Sequence, residues 1–175
     1  MELHMHSHHF ARRTPDWRAA AIAGCVAGAV FLVLELLAMS VIGQSPWGPL
    51  RMIAAIPLGR GVLSQSATVD AGIVLAALIV HFILSVIFAL ILVVIIAPFN
   101  FDSSLAMASL AGAVFGVAVY LVNYYGLSQA FPWFAAARGW VSLISHIVFG
   151  LVAADVYVRV ERRESGVTDG AGTVR

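Results

Sequence analysis

The 175-residue chain contains no lysine, a single cysteine and only 11% charged residues. Because Cys25 has no partner within the chain, an intrachain disulfide is excluded. The formal net charge of +1 argues against nucleic-acid binding, which needs a basic surface. The sequence also lacks a Walker loop, a His-Glu-x-x-His motif, a Cys-x-x-Cys pair and a recognisable Ser-His-Asp pattern. No enzyme class is indicated.

Long hydrophobic runs dominate the sequence instead. Hydrophobic residues make up 61% of the chain and the mean hydropathy is +0.95, whereas soluble chains are about 45–50% apolar. A helix needs about 20 such residues to cross a bilayer. We therefore expect an all-α fold, an integral membrane four-helix bundle between mobile polar tails at residues 1–16 and 164–175. The four predicted spans are at about 19–42, 71–97, 104–127 and 140–158.

The connection between the first two spans contains a shorter apolar stretch among prolines. Pro46, Trp47 and Pro49 precede it and Pro57 follows it, so it is too short to span a bilayer. We predict a half-helix at about residues 49–57, lying at the membrane interface and anchored by Trp47, because tryptophan is enriched at that depth.

Arginine is distributed unevenly around the four spans. Six arginines lie just before the first span or just after the fourth span. Three lie in the two loops on the opposite side of the membrane. Positive charge is retained on the cytoplasmic side, so we expect both termini in the cytoplasm. The first group is Arg12, Arg13, Arg18, Arg159, Arg162 and Arg163, and the second is Arg51, Arg60 and Arg138.

The first and third spans repeat one pattern of small and polar residues. Residues 24–35 read GCVAGAVFLVLE and residues 112–123 read GAVFGVAVYLVN. Each stretch has Gly-x-x-x-Gly and then a polar residue seven positions on, Glu35 in one and Asn123 in the other. Small faces let membrane helices approach closely. The four glycines are Gly24, Gly28, Gly112 and Gly116.

The second and fourth spans repeat a histidine in matching surroundings. Residues 78–85 read LIVHFILS and residues 143–150 read LISHIVFG, which places His81 and His146 at equivalent positions. Each half is thus a small-residue helix followed by a histidine helix. Because each half contains two spans, the copies share one orientation. This predicts two parallel helix-pair repeats related by a pseudo-two-fold axis along the membrane normal.

The polar residues of the two halves lie at similar depth. At about 1.5 Å of rise per residue, Glu35, His81, Asn123 and His146 fall within a layer of about 10 Å in the external half of the bundle. Polar groups within apolar spans are costly, so a matched set predicts a site that faces the bundle interior. Tyr120 could add a hydroxyl group to this polar network.

Two interpretations of the histidine pair concern packing and haem. His81 and His146 could simply bond to polar groups on neighbouring helices and fix the packing. Facing each other across a four-helix bundle, they could instead be the axial ligands of a b-type haem. Arginines on the same side could then meet the haem propionates. These arginines are Arg51, Arg60 and Arg138.

Two further interpretations concern metals and transport. Glu35, His81 and His146 could together hold a divalent zinc or copper ion. The same residues could lie on a proton or solute pathway. Four histidines near the N-terminus could also bind copper, nickel or zinc, or could be incidental residues of a flexible tail. They are His4, His6, His8 and His9.

The stretch Ser45–Leu63, which reads SPWGPLRMIAAIPLGRGVL, together with the apolar run through His81, resembles a known group of proteins. The group consists of small bacterial inner-membrane proteins that are sometimes labelled sodium:proline symporter-related. The resemblance covers about residues 19–160. It implies a bacterial inner-membrane location and assigns no functional residue.

The patterns together favour a non-enzymatic accessory or binding subunit with a His/Glu/Asn site in the external half of the bundle. Such a subunit contacts lipid and requires a membrane-protein partner or further copies of itself. The alternatives are an electron-transfer cytochrome with a bis-His haem, and a proton- or metal-handling transporter.

Overall fold

The computed structural model describes residues 14–64, 69–99 and 104–172, with the backbone alone at residues 99 and 164–172. Every regular element in these ranges is a helix, which confirms the all-α prediction. The long helices are α1 (Trp17–Val41), α3 (Ala71–Ile96), α4 (Leu105–Leu121) and α5 (Trp140–Gly172), and the shorter α2 (Trp47–Leu58) lies between α1 and α3.

Four helical segments are long and apolar enough to cross a membrane. Their outward faces present large aliphatic side chains, which in water would form a costly exposed apolar patch. On α3 this stripe repeats every fourth residue, at Leu75, Ile79, Ile83, Ile87 and Ile91. The prediction of four apolar helices is confirmed, and their length and composition are compatible with a polytopic membrane protein. The segments are Trp17–Val41, Ala71–Ile96, Leu105–Gln129 and Trp140–Arg163.

Polar residues begin three of the helices, and glycines end two of them. Asp16 and Asp70 accept hydrogen bonds from backbone N–H groups in the first turns of α1 and α3, and Ser104 does so for α4. Gly43 and Gly59 follow α1 and α2 with φ angles of 72° and 84°. Glycine adopts this left-handed conformation at no steric cost, so the chain can turn sharply there.

The long helices follow the order α4, α5, α1, α3 around the bundle. α5 packs against both α4 and α1, and α1 packs against α3. α3 and α4 touch each other much less, which leaves a gap on that side of the bundle. The hydrophobic core between these helices contains several alanines of α1, together with Leu92 and Ile96 of α3 and Phe149 and Tyr157 of α5.

The glycines of the two halves occupy corresponding places in these contacts. A Cβ atom on Gly28 of α1 would lie 2.8 Å from Ser85 Cβ and 3.5 Å from His81 Nε2 of α3. A Cβ atom on Gly116 of α4 would overlap the backbone of His146 in α5. Each Gly-x-x-x-Gly helix therefore packs on the histidine helix that follows it along the chain.

The closest backbone approach in the bundle is between α4 and α5. Gly112 and Gly150 face each other, and a Cβ atom on either would overlap the carbonyl oxygen of the other. One turn of α5 further on, Ala154 lies under Gly112 as Ala89 lies under Gly24 in the other half. Gly150 completes this contact and was not among the predicted packing residues.

Two helices, α2 and α5, can be compared with the segments that the sequence predicts outside the four spans. The half-helix predicted at about residues 49–57 corresponds to α2 (Trp47–Leu58), whose Ala54 and Ala55 are buried against α3. The indole N–H of Trp133 donates to Met52 O at 3.0 Å and so connects α2 to the loop between α4 and α5, which we call the second loop. α5 continues to Gly172, through residues that were predicted to belong to the C-terminal tail.

Candidate functional site

Glu35 is the most unusual polar residue of the bundle. It lies near the end of α1, where its side chain is only 4% exposed. The hydroxyl groups of Ser142 and Ser145 on α5 face its carboxyl group. Oε1 nevertheless has no hydrogen-bond partner among the residues that the structure describes. Buried polar atoms in folded proteins are almost always paired, so this unpaired carboxyl oxygen requires an explanation.

A cavity of about 430 Å³ lies next to Glu35, and we call it the Glu35 cavity. Small-ligand pockets in proteins range over about 300–1,000 Å³, so this volume suits one small molecule. Its floor is formed by α1 and α5, and its roof by α2 and the second loop. The aromatic and methionine side chains that line it are Phe31, Tyr124, Phe134, Trp140, Met39 and Met52.

His146 supports the wall of this cavity through two hydrogen bonds. Its Nδ1 atom lies 2.6 Å from Ser142 O, and its Nε2 atom lies 3.0 Å from Asn123 Nδ2. A carbonyl can only accept, so Nδ1–H donates to Ser142 and Nε2 accepts from the Asn123 amide. Two of the predicted site residues are thus brought together, and Ser142 links them to Glu35.

A local change of helix type positions Asn123. The chain leaves α4 through a π-helical turn at Val122–Gly126. The ring of Tyr124 in this turn lies 5.5 Å from the His146 ring, and the ring of Tyr120 lies 5.8 Å from it. Single π-helical turns occur frequently at functional sites, because the extra residue re-aims the side chains around it.

His81 lies on the other side of Phe31 and lines a smaller cavity. Its Nε2–H group donates to the carbonyl oxygen of Gly28 at 2.8 Å. The ring of Phe31 lies 5.6 Å from the His81 ring and 4.8 Å from the His146 ring. The cavity beside His81 has a volume of about 90 Å³ and lies at the gap between α3 and α4, where Asn123 also lines it.

The predicted metal and haem arrangements are not assembled in this structure. Among the described side chains, no group of three His, Cys, Asp or Glu residues could hold a metal ion, so Glu35, His81 and His146 do not form a ligand set. The Nε2 atoms of both histidines are committed to hydrogen bonds. The cavity that borders both histidines, at about 90 Å³, is also too small for a porphyrin.

The three predicted propionate-binding arginines lie apart from one another. Arg138 lines the Glu35 cavity, where it donates from Nε to Tyr124 O at 2.8 Å and from Nη2 to Ser128 Oγ at 3.0 Å. Arg60 lies 5.6 Å over an indole ring of the second loop. Arg51 lines a separate, small pocket beside α3.

The sequence patterns did not predict three residues that lie between the predicted site residues. Ser142 and Ser145 meet Glu35, and Phe31 separates the two histidines. One signal was present, since Ser142 lies one helical turn before His146 and therefore shares its face. The N-terminal histidines lie outside the described residues, and they are His4, His6, His8 and His9.

No protein-family model, no curated protein and no solved structure matches this chain. Function is therefore inferred from the chemistry of its own residues.

Proposed function

We propose that this chain is a non-enzymatic, multi-pass membrane protein that binds a small ligand in the Glu35 cavity. The unpaired Oε1 atom of Glu35, buried beside a cavity of about 430 Å³, carries this proposal. A buried polar atom without a partner costs about 1–3 kcal/mol, and a ligand that donates a hydrogen bond to it would recover that energy. The ligand would therefore stabilise the fold as well as occupy the cavity.

In this proposal the histidine and asparagine of the predicted site support the cavity and do not touch the ligand. His146 holds the first turn of α5 through Ser142 O, and Asn123 fixes the orientation of the imidazole ring. This arrangement keeps the Ser142 side chain beside Glu35. It favours the binding-subunit interpretation over the cytochrome interpretation, because a bis-His haem needs a free imidazole nitrogen on both histidines and both nitrogens of His146 are hydrogen-bonded.

We further propose that the protein lies in a bacterial inner membrane with both termini in the cytoplasm. The arginine distribution and the resemblance over residues 19–160 support this location and orientation. The cavity would then open on the external side. The corresponding contacts of Gly28 with α3 and Gly116 with α5 support two parallel repeats, related by a pseudo-two-fold axis along the membrane normal. In this proposal the chain acts together with a membrane-protein partner or a second copy of itself.

Gly48→Phe tests the proposal by filling the cavity. Gly48 lines it, and a Cβ atom there would meet nothing within 4 Å, so the new ring can enter without displacing the backbone. Gly61→Phe is the matched control, since Gly61 is equally open but does not line the cavity. We measure the unfolding temperature of each protein in lipid nanodiscs, alone and with each member of a library of small cations, anions, zwitterions and neutral molecules.

We expect at least one library member to raise the unfolding temperature of the parent and of Gly61→Phe but not that of Gly48→Phe. A ligand at about 100 times its Kd stabilises the native state by about 2.7 kcal/mol, which such a scan resolves readily. Stabilisation that is the same in all three proteins would place the ligand outside the Glu35 cavity and contradict the proposal.

A further inference from the structure

We infer that the ligand of the Glu35 cavity is an organic cation, a protonated amine attached to an apolar or aromatic body. This inference rests on the proposed function and adds the chemical class of the ligand. Three features of the cavity carry it: the acidic residue that lines it, the character of its walls and the position of its arginine.

The floor of the cavity offers a single acidic group. Glu35 is the only Asp or Glu among the described residues that line the cavity. Its Oε1 atom has no partner among the described residues and can accept a hydrogen bond, whereas the two serine hydroxyls that face the carboxyl group are neutral donors. An ammonium group has three N–H donors and a positive charge, and charge-assisted hydrogen bonds are about twice as strong as neutral ones. A cation is therefore the best complement to this atom.

The walls of the cavity suit the apolar body of such a cation. Phe31, Tyr124, Phe134 and Trp140 present aromatic rings to it. The faces of aromatic rings attract cations, and the attraction grows when water is excluded. Methionine side chains add a polarizable surface that adapts to ligands of different shape. A small inorganic cation would leave most of this apolar surface without a contact.

The arginine of the cavity is poorly placed to bind an anion. Arg138 is exposed at the rim, whereas Glu35 is 4% exposed at the floor. Two of its nitrogen atoms already donate to Tyr124 O and Ser128 Oγ, and its guanidinium group lies 4.4 Å from the centre of the Tyr125 ring. Exposed charges are screened by water and salt, so the buried acidic group of Glu35 is better placed than Arg138 to select the charge of a ligand.

Three probes that share a phenyl group test this inference. Calorimetric titration of the parent protein in nanodiscs compares 2-phenylethylammonium, 3-phenylpropionate and phenylalanine, which are a cation, an anion and a zwitterion. We expect the cation to bind and the anion to bind at least ten times more weakly. Binding of the cation should disappear in Gly48→Phe and persist in Gly61→Phe.

The substitution Glu35→Gln tests whether ligand affinity depends on the acidic group of Glu35 or only on the size of its side chain. It keeps the size of the side chain and its contacts with the serine hydroxyls but removes the negative charge. We expect it to weaken binding of 2-phenylethylammonium by roughly ten- to a hundred-fold, as the loss of a hydrogen bond to a charged group does. Glu35→Asp, which retains the charge, should recover part of the affinity. Glu161→Gln near the cytoplasmic end of α5 should bind as the parent does.

The outcomes distinguish this inference from the proposed function. If the parent prefers the anion or the zwitterion and Gly48→Phe abolishes that binding, the cation inference is wrong and the cavity remains a ligand site. Absence of cation binding to the parent, or equal affinity in Glu35→Gln, also overturns the inference. The proposed function itself fails only if no library member is sensitive to Gly48→Phe.

Discussion

His146 is hydrogen-bonded at both nitrogen atoms of its ring, and Asn123 is the side chain that binds it. The imidazole cannot rotate without breaking the bond to Ser142 O or the bond to the Asn123 amide. His81 has a different environment, because its Nε2–H group bonds to a backbone carbonyl and its ring meets His146 only through Phe31. The two histidines thus occupy matching sequence positions but have different partners.

Asn123 and His146 should therefore be coupled in stability. In a double-mutant cycle with Asn123→Ala and His146→Ala, we expect an interaction free energy of about 0.5–3 kcal/mol, as for residues in one hydrogen-bond network. The coupling of His81→Ala to His146→Ala should be smaller. Ser109→Ala is the control, since Ser109 bonds to Asp155 in a separate contact. Additive losses for Asn123 and His146 would show that their hydrogen bond contributes no stability.

For single residues, the sequence predicts the depth in the bundle better than it predicts the hydrogen-bond partners. The positions of Glu35, Asn123 and His146 along their apolar runs suffice to place them in one layer of the bundle. Rotation of each helix about its axis decides which of them touch, and that rotation depends on contacts between helices. The serine hydroxyls facing Glu35 are an example, because they lie on α5, whose rotation is fixed by contacts such as that of Gly150 with Gly112 of α4.

At the scale of helices, the contact between α4 and α5 determines the geometry of the site. Gly112 and Gly116 let the backbone of α5 approach so closely that no side chain fits between the helices. The Gly-x-x-x-Gly pattern is sufficient to predict a close contact. It does not predict which helix is the partner, because the spans are apolar on all sides and their hydrophobicity has no preferred face.

Gly116→Ala should be strongly destabilising. Its Cβ atom would lie 2.8 Å from the carbonyl carbon of His146 and from Ile147 Cα, and backbone cannot move aside as a flexible side chain can. We expect a loss of about 1–3 kcal/mol, the usual cost of overpacking. The measurement is equilibrium unfolding in mixed micelles.

Gly126→Ala is the matched control for this substitution. Gly126 has a φ angle of −83°, which alanine adopts readily, and the nearest atom to its added Cβ atom is 4.0 Å away. We expect a change within about 0.5 kcal/mol of the parent. Equal effects at the two positions would show that α4 and α5 are not in backbone contact.

At the scale of the whole molecule, composition predicts the spans but not the cavity. The hydrophobic runs are so long that four apolar helices follow from helix geometry alone. The Glu35 cavity depends on α2 and the second loop, which are joined by the bond from Trp133 to Met52 O. This contact links residues 81 positions apart, and no local pattern predicts it.

Orientation in the membrane can be tested by labelling cysteines. In a Cys25→Ser background, Ala130→Cys lies in the exposed second loop and Thr14→Cys is exposed just before α1. We expect a membrane-impermeant maleimide added to intact cells to label Ala130→Cys and to label Thr14→Cys only after the cells are opened. The arginine distribution is the physical reason. The reverse labelling pattern would place the Glu35 cavity on the cytoplasmic side.

The central claim is that the carboxyl group of Glu35 can be reached through the cavity, and carbodiimide modification tests it most directly. A water-soluble carbodiimide adds to a carboxyl group, and rearrangement leaves a stable N-acylurea that peptide mass spectrometry detects at Glu35. We predict modification of the parent and of Gly61→Phe, and a rate several-fold lower in Gly48→Phe, whose ring fills the cavity. Glu35 that stays unmodified in the parent, or reacts equally fast in all three proteins, would contradict the account.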